Sequence, residues 1–334
     1  MKVKQSAAII VALVLFAATG YLGVQSAATV NDTLLTGASA FGPLSALLGG
    51  DTAIELPSDP FIARLDITGT IQPSGAYYAD GYYDHDLYME LIDALIDDPD
   101  NKAILLYVDS PGGTVYEADE LYLKLMEYRE KTSRPIYAYF ASEACSGGYY
   151  VAMAANEIYA NRNGWTGSIG VIMSLMNYQG LSEKIGVTEI DITAGRNKAM
   201  GSAWESLTDE QRGILQALVD ESYNQFVDIV ASGRNLDRGR VVELADGRIY
   251  STQQALELGL IDHIAGEQDA FARILDKCGL SSDADIYAPE RADALSLLEL
   301  LFYRAADLRP KSELEVFQQL VSNPRNGAVM YYAK

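Results

Sequence analysis

From residue 58 onward, short runs of β-branched and aromatic residues alternate with stretches whose apolar positions recur every three or four residues. That alternation of two periods predicts an α/β domain. Strands are predicted over Phe61–Ile67, Ala103–Asp109, Pro135–Phe140, Glu157–Ala160 and Ile169–Met173, and helices over Asp84–Ile96, Tyr116–Arg129, Gly147–Ala155 and Asp209–Ala231. In the last, Leu215, Leu218, Val219, Tyr223, Phe226, Val227 and Val230 fall mostly three or four apart, which predicts one buried face. Ala255–Leu258 and Ala270–Leu275 continue the pattern, and Leu295–Phe302 and Leu314–Val321 predict a helical tail.

Ahead of this domain, Lys2 and Lys4 precede an uncharged stretch from Ala7 to Val24. It is long enough for a transmembrane helix, which needs roughly 20 apolar residues, and the flanking lysines place the amino end in the cytoplasm. A cleaved secretory signal is the competing reading, because Ser26 and Ala28 have the size and spacing of a cleavage site. Under either reading the main body is exported. The expected organisation is a cytoplasmic end and anchor over residues 1–28, a linker over 29–57, the catalytic domain over 58–280, and C-terminal helices with a tail over 281–334.

Composition narrows the chemistry. Lys and Arg number 25 against 46 Asp and Glu, a net charge of −21 that repels phosphate backbones and argues against general nucleic-acid binding. The two cysteines, Cys145 and Cys278, are too few for a disulfide scaffold or a cysteine-built zinc site. The two histidines, His85 and His263, argue against a histidine-rich metal centre.

Two glycine-rich junctions between predicted strand and helix carry the candidate chemistry. Asp109-Ser110-Pro111-Gly112-Gly113 follows the first apolar strand of the pair, and its glycines free backbone amides to meet an oxyanion. Ala144-Cys145-Ser146-Gly147-Gly148 follows the second, where a serine hydroxyl and the next amide, that of Gly147, can converge on one point. Standing alone, the first junction is an ordinary turn and Ser146 a helix cap. A serine nucleophile needs a base. His85 lies in an acidic, tyrosine-rich stretch that reads as surface, and His263 in a turn near the domain end, neither with an evident partner. Lysine is the other base known for serine; Lys198 lies among small residues, with no carboxylate nearer in sequence than Asp191 and Glu205. A plain surface lysine is the other reading of that position.

Ser110-Pro111-Gly112-Gly113, Ser146-Gly147-Gly148-Tyr149-Tyr150, Thr166-Gly167-Ser168-Ile169-Gly170-Val171 and Lys198 occur in the order seen in the bacterial signal peptide peptidase A (SppA) family. Phe226-Val227, Gly233-Arg234, Ala245–Tyr250, Gln254-Ala255-Leu256 and Gly259–Asp262 extend the resemblance, which covers about residues 60 to 268. It implies a membrane-anchored serine protease with a Clp-protease/crotonase-like fold, a repeated β-β-α spiral behind a transmembrane helix. Ser146 would be the nucleophile, Lys198 the general base, Gly113 and Gly147 the oxyanion donors, and Ser168 the residue that orients the lysine. No metal or organic cofactor is implied. The implied substrates are apolar peptides and cleaved signal peptides, and the implied state is a homo-oligomer whose dyad is shared between subunits. Ala203, where members often have proline, and Ser251-Thr252, where a Thr-Gly pair is common, depart from the family outside this chemistry.

Cys145 invites a thiol-protease reading, but its side chain is expected to point away from that of Ser146 and into the core. A Cys145–Cys278 disulfide is open to an exported protein, although one partner should be buried behind the site. A crotonase-type acyl-CoA enzyme would share the fold but have no use for a Ser–Lys pair, and an inactive peptide-binding scaffold is the non-enzyme alternative. The apolar end, Ala328–Lys334, has two readings: a strand lying in an active-site groove, where it could be trimmed, or a frayed terminus.

Overall fold

The computed structural model describes residues 54–74, 83–281, 284 and 286–289, together with the backbone strand at 329–332. All belong to one compact unit. The expected helices Leu295–Phe302 and Leu314–Val321 and the apolar stretch Ala7–Val24 lie outside the described residues. Among the described residues, no helix is long and apolar enough to cross a membrane.

The framework is a mixed sheet. Strands β1 (Phe61–Ile71), β2 (Asn101–Thr114), β3 (Ile136–Cys145) and β4 (Glu157–Ala160) run parallel side by side. Helices α1 (His85–Asp97), α2 (Val115–Thr132) and α3 (Gly147–Ala152) connect them in turn. The alternation in these strands explains why both faces are covered. Ile104, Leu106 and Val108 of β2 and Ile136, Ala138 and Phe140 of β3 pack into one core beneath the three helices. Ala103, Leu105, Tyr137 and Tyr139 point the opposite way, into a smaller cluster.

Beyond β4 the elements are shorter. They are β5 (Trp165–Gly167), β6 (Ile172–Met173), α4 (Gln179–Ile185), α5 (Asp209–Arg234), α6 (Arg238–Leu244) and β7 (Ile249–Ser251), followed by α7 (Thr252–Glu257), β8 (His263–Ile264), α8 (Glu267–Lys277), β9 (Ile286–Tyr287) and β10 (Val329–Tyr332). Ala270, Ile274 and Leu275 of α8 cap the second cluster. The long helix α5 starts on a capping box, Thr208 with Gln211. Only Phe226, Val227 and Val230 of its predicted stripe are buried, while Leu218 is 46% exposed. Its first half therefore extends past the core that its second half packs against.

Two predicted boundaries change for physical reasons. Strand β2 continues through Gly112 and Gly113 to Thr114, because Thr70 and Ile71 of β1 still pair with it there. Register shifts between Val108 and Ser110 and between Thr68 and Thr70 accommodate the interruption around Pro111. The predicted strand Ile169–Met173 shrinks to Ile172–Met173, since the Ser168 amide and the Ile169 carbonyl bond instead to Arg248 and Gly247. Ser251 and Thr252, the departures from the family pattern, have local work of their own. Ser251 caps α7 in a box with Gln254, and the Thr252 hydroxyl donates to the carbonyls of Asn161 and Gly164.

Candidate active site

Strand β3 ends at Cys145 and α3 begins at Gly147, so the chain reverses direction over Ser146 alone. Its backbone has φ 52° and ψ −116°, in the positive-φ region where a side chain costs about 1–3 kcal/mol of strain. The Ser146 amide donates to the Gly167 carbonyl at 2.8 Å, and the Ser146 carbonyl accepts from the Tyr150 amide at 2.9 Å. Although Ser146 occupies the cap position of α3, its side chain makes no capping bond. Its Oγ is buried and has no hydrogen-bond partner among the described residues. A buried unpartnered hydroxyl costs about 1–3 kcal/mol, so capping does not explain this residue. Gly147 opens the helix, and amides of a first turn have no partner within their own helix.

The β3–β5 register, Cys145 opposite Gly167, brings Ser168 beside Ser146 at the ends of parallel strands. Ser168 also has positive φ, 50°, and is buried. On the other side of β3, Gly148 fits against β2: a Cβ there would lie 3.2 Å from the Ser110 carbonyl oxygen. Buried Ser110 ties that strand end together. Its hydroxyl donates to the Gly69 carbonyl at 2.6 Å and accepts from the Gly112 amide at 3.1 Å. Gly113 sits so close to β1 that a Cβ would lie 2.6 Å from the Ile71 carbonyl carbon. Structure thus gathers Ser146, Gly147, Ser168 and Gly113 about the carboxyl ends of β2, β3 and β5.

Strand β10 occupies the edge of β2 that β3 leaves after Ser110. Tyr332, Tyr331 and Met330 pair antiparallel with Gly112, Gly113 and Thr114, while Val329 and Met330 pair with Met173 and Ile172 of β6. Its carboxyl end points toward the Ser110–Ala144 pairing, two residues short of Ser146. The tail is therefore a strand in this slot.

Lys198 is not gathered in. It is exposed, in an irregular segment between α4 and α5, and its ammonium makes no ion pair or side-chain hydrogen bond among the described residues. Both histidines depart from their sequence reading. His85 is buried, its Nδ1 2.7 Å from the Tyr83 hydroxyl and its Nε2 2.9 Å from Glu120 Oε2. The acidic, tyrosine-rich stretch folds Tyr83 and Tyr88 inward, and the partner Glu120 comes from α2, 35 residues away. His263 meets Glu157 at 3.2 Å, across paired β4 and β8. Cys145 is buried and both cysteines are free thiols. Burial pushes the Cys145 thiol up to about 12, which suits packing rather than nucleophilic attack. Burial also raises the Glu143 carboxyl, with help from nearby Asp109.

Sequence reasoning missed Ser110 as the residue that ties the end of β2 together; its place in the Ser110-Pro111-Gly112-Gly113 run was the available signal.

A strained serine between strand and helix, its hydroxyl free beside first-turn amides, is the ground plan of a hydrolase that works by acyl transfer. Comparison with known proteins specifies the class. The model of peptidase family S49 matches residues 128–281. A candidate signal peptide peptidase SppA of Enterococcus faecium is 38% identical over 242 residues, which are 72% of this chain and 70% of that protein. A candidate protease of Synechocystis sp. is 42% identical over 224 residues, 66% of this chain and 76% of that one. The chloroplastic serine protease SPPA of Arabidopsis thaliana is 32% identical over 180 residues, 54% of this chain but 26% of its own length. The chain belongs to peptidase family S49 and is a serine protease.

Proposed function

We propose that this serine protease cleaves apolar, membrane-derived peptides, released signal peptides among them, with a Ser146–Lys198 dyad completed between neighbouring subunits. The observation that carries the reading is the Ser146 hydroxyl, which is held in a strained elbow, buried, and without a hydrogen bond among the described residues. Ser146 Oγ attacks the scissile carbonyl carbon while the neutral amine of Lys198 takes the hydroxyl proton. The amides of Gly113 and Gly147 hold the oxyanion. As the C–N bond breaks, the lysine passes its proton to the leaving amine. Water then attacks the ester, gives a proton to the lysine, and releases the new carboxylate; the proton returns to Ser146 Oγ. Ser168, beside the elbow, orients the lysine amine.

The exposed position of Lys198 supports a base supplied in trans. So do the apolar side chains that the same region leaves in solvent: Ile190 is 81% and Ile192 98% exposed, with Leu181, Ile185, Val187 and Leu218 nearby in sequence. Such a surface suits a head-to-tail contact that closes into a ring. A Clp-protease/crotonase-like spiral, a membrane anchor in residues 1–28 and an extracytoplasmic catalytic domain over 58–280 complete the proposal; the parallel β–α succession of the sheet and the apolar run Ala7–Val24 support them. Strand β10, antiparallel to β2, is the geometry in which an extended peptide would bind.

The test is co-assembly of inactive Ser146→Ala and Lys198→Ala chains. In a random one-to-one mixture, a shared site has both native residues with probability about one quarter, so about a quarter of full activity returns. No recovery in mixed oligomers verified by mass would refute the shared dyad. Fluorophosphonate labelling of Ser146 tests the nucleophile independently.

A further inference from the structure

Four residues after the elbow, Tyr150 is fully buried, and its hydroxyl closes a polar knot among three helices. It donates to Asp119 Oδ1 at 2.5 Å. Gln225 Nε2 donates to the same Asp119 oxygen and to the Tyr150 hydroxyl oxygen, each at 2.8 Å. Two of the helices lead away from the site, and the third follows the segment that bears Lys198. Tyr150 is in α3, which begins at the elbow; Asp119 is in α2, which follows the Gly112–Thr114 strand end; Gln225 is in α5, which follows the segment bearing Lys198.

The packing around the knot indicates what it is for. Helix α3 has six residues, too few to hold its own shape, so the strained backbone of Ser146 must be fixed by its surroundings. One side of α3 is set by Gly148 against Ser110. The other is set by Tyr150, whose ring lies 5.0 Å from that of Phe226 and 5.6 Å from that of Tyr122. Those ring contacts need no hydroxyl. The hydroxyl instead fixes the position of α3 along α2 and α5, through a bond to a carboxylate that is stronger than a neutral one. The Tyr150 amide then passes that position directly to the Ser146 carbonyl, at 2.9 Å.

We infer that Asp119, Tyr150 and Gln225 are positioning residues, which hold the first turn of α3 so that Ser146 Oγ and the Gly147 amide stand in attacking geometry. The inference rests on Ser146 being the nucleophile.

The experiment uses the full, assembled chain and compares wild type with Tyr150→Phe, Asp119→Ala, Asp119→Asn and Gln225→Leu. Three readouts are taken: the rate of fluorophosphonate labelling at Ser146, kcat and KM on an apolar peptide, and the thermal midpoint. A displaced nucleophile loses kcat rather than affinity, so Tyr150→Phe and Asp119→Ala should label and turn over about tenfold slower with KM within about twofold. Asp119→Asn keeps an oxygen for the Tyr150 hydroxyl and should recover to within about threefold of wild type, whereas Gln225→Leu, with the Tyr150–Asp119 bond intact, should lose about threefold. Should Asp119→Ala fail to fold, Tyr150→Phe decides alone, because its ring packing is retained. A folded Tyr150→Phe that labels and turns over like wild type, or that changes only KM, overturns the positioning role. Wild type that does not label at Ser146, or hydrolysis that survives Ser146→Ala, overturns the nucleophile reading and the inference with it.

Discussion

Replacing Gly113 by alanine is the sharpest perturbation of the strand end proposed to hold the oxyanion. An alanine Cβ at 113 would lie 2.6 Å from the Ile71 carbonyl carbon and 2.7 Å from its Cα. Real Cβ contacts begin near 3.0 Å, and the obstacle is paired backbone rather than the end of a flexible side chain. Relief therefore requires β1 and β2 to separate locally by about 1 Å or the peptide at 113 to tilt. Overpacking of this kind costs about 1–3 kcal/mol of stability. A displacement of about 1 Å at a catalytic donor costs about 100-fold in rate, in line with removal of an oxyanion donor. Gly148→Ala provides the internal control. Its Cβ would meet Ser110 and Val108 at 3.2–3.3 Å, which a few tenths of an ångström relieve, so stability should fall by about 1 kcal/mol or less and rate by less than about tenfold. Urea unfolding and kcat on an apolar peptide measure both quantities. If Gly113→Ala kept kcat within about threefold of wild type, or fell no further than Gly148→Ala, the assignment of this strand to the oxyanion site would be wrong.

The remaining predictions concern the base, the thiol and the tail. Lys198→Ala should abolish turnover of an apolar peptide while leaving the thermal midpoint unchanged, and near-normal turnover by the variant contradicts the assignment of the base. Cys145, raised by burial from an ordinary value of 9.0 to about 12, stabilises the fold as a neutral thiol below pH 9, and that contribution is lost as pH climbs toward 12. Cys145→Ala should therefore flatten the alkaline loss by up to about 1.4 kcal/mol per pH unit, read by urea unfolding between pH 8 and 11; parallel curves for the two proteins would exclude the effect. Deleting residues 328–334 should lower KM for an added peptide by vacating the slot beside Gly112–Thr114, and an unchanged KM would show that the tail does not compete. Intact mass after long incubation checks trimming: active enzyme should lose carboxyl-terminal residues that Ser146→Ala retains.

The apolar run Ala103–Val108 was legible along the chain as a strand, because a sheet covered on both faces demands apolar residues in either direction. Glycine doublets marked both junctions for the same kind of local reason: Gly113 and Gly148 sit where backbone and Cβ cannot coexist comfortably. Local pattern could not show that Ser146 leaves its helix uncapped, since capping and catalysis use the same residue at the same position. That was decided by the backbone of Ser146, which stands at φ 52° and ψ −116° rather than in the extended region a capping residue uses, tied through its amide to the Gly167 carbonyl 21 positions along the chain. Tertiary structure likewise buried His85 against Glu120, extended β2 through its glycines by pairing them with β1, and brought Asp119 and Gln225 to Tyr150. It also left Lys198 in solvent while gathering Ser146, Gly147, Ser168 and Gly113. Periodicity records which face of an element is buried; partners separated by tens of residues meet only when the sheet order and the helix crossings bring them together.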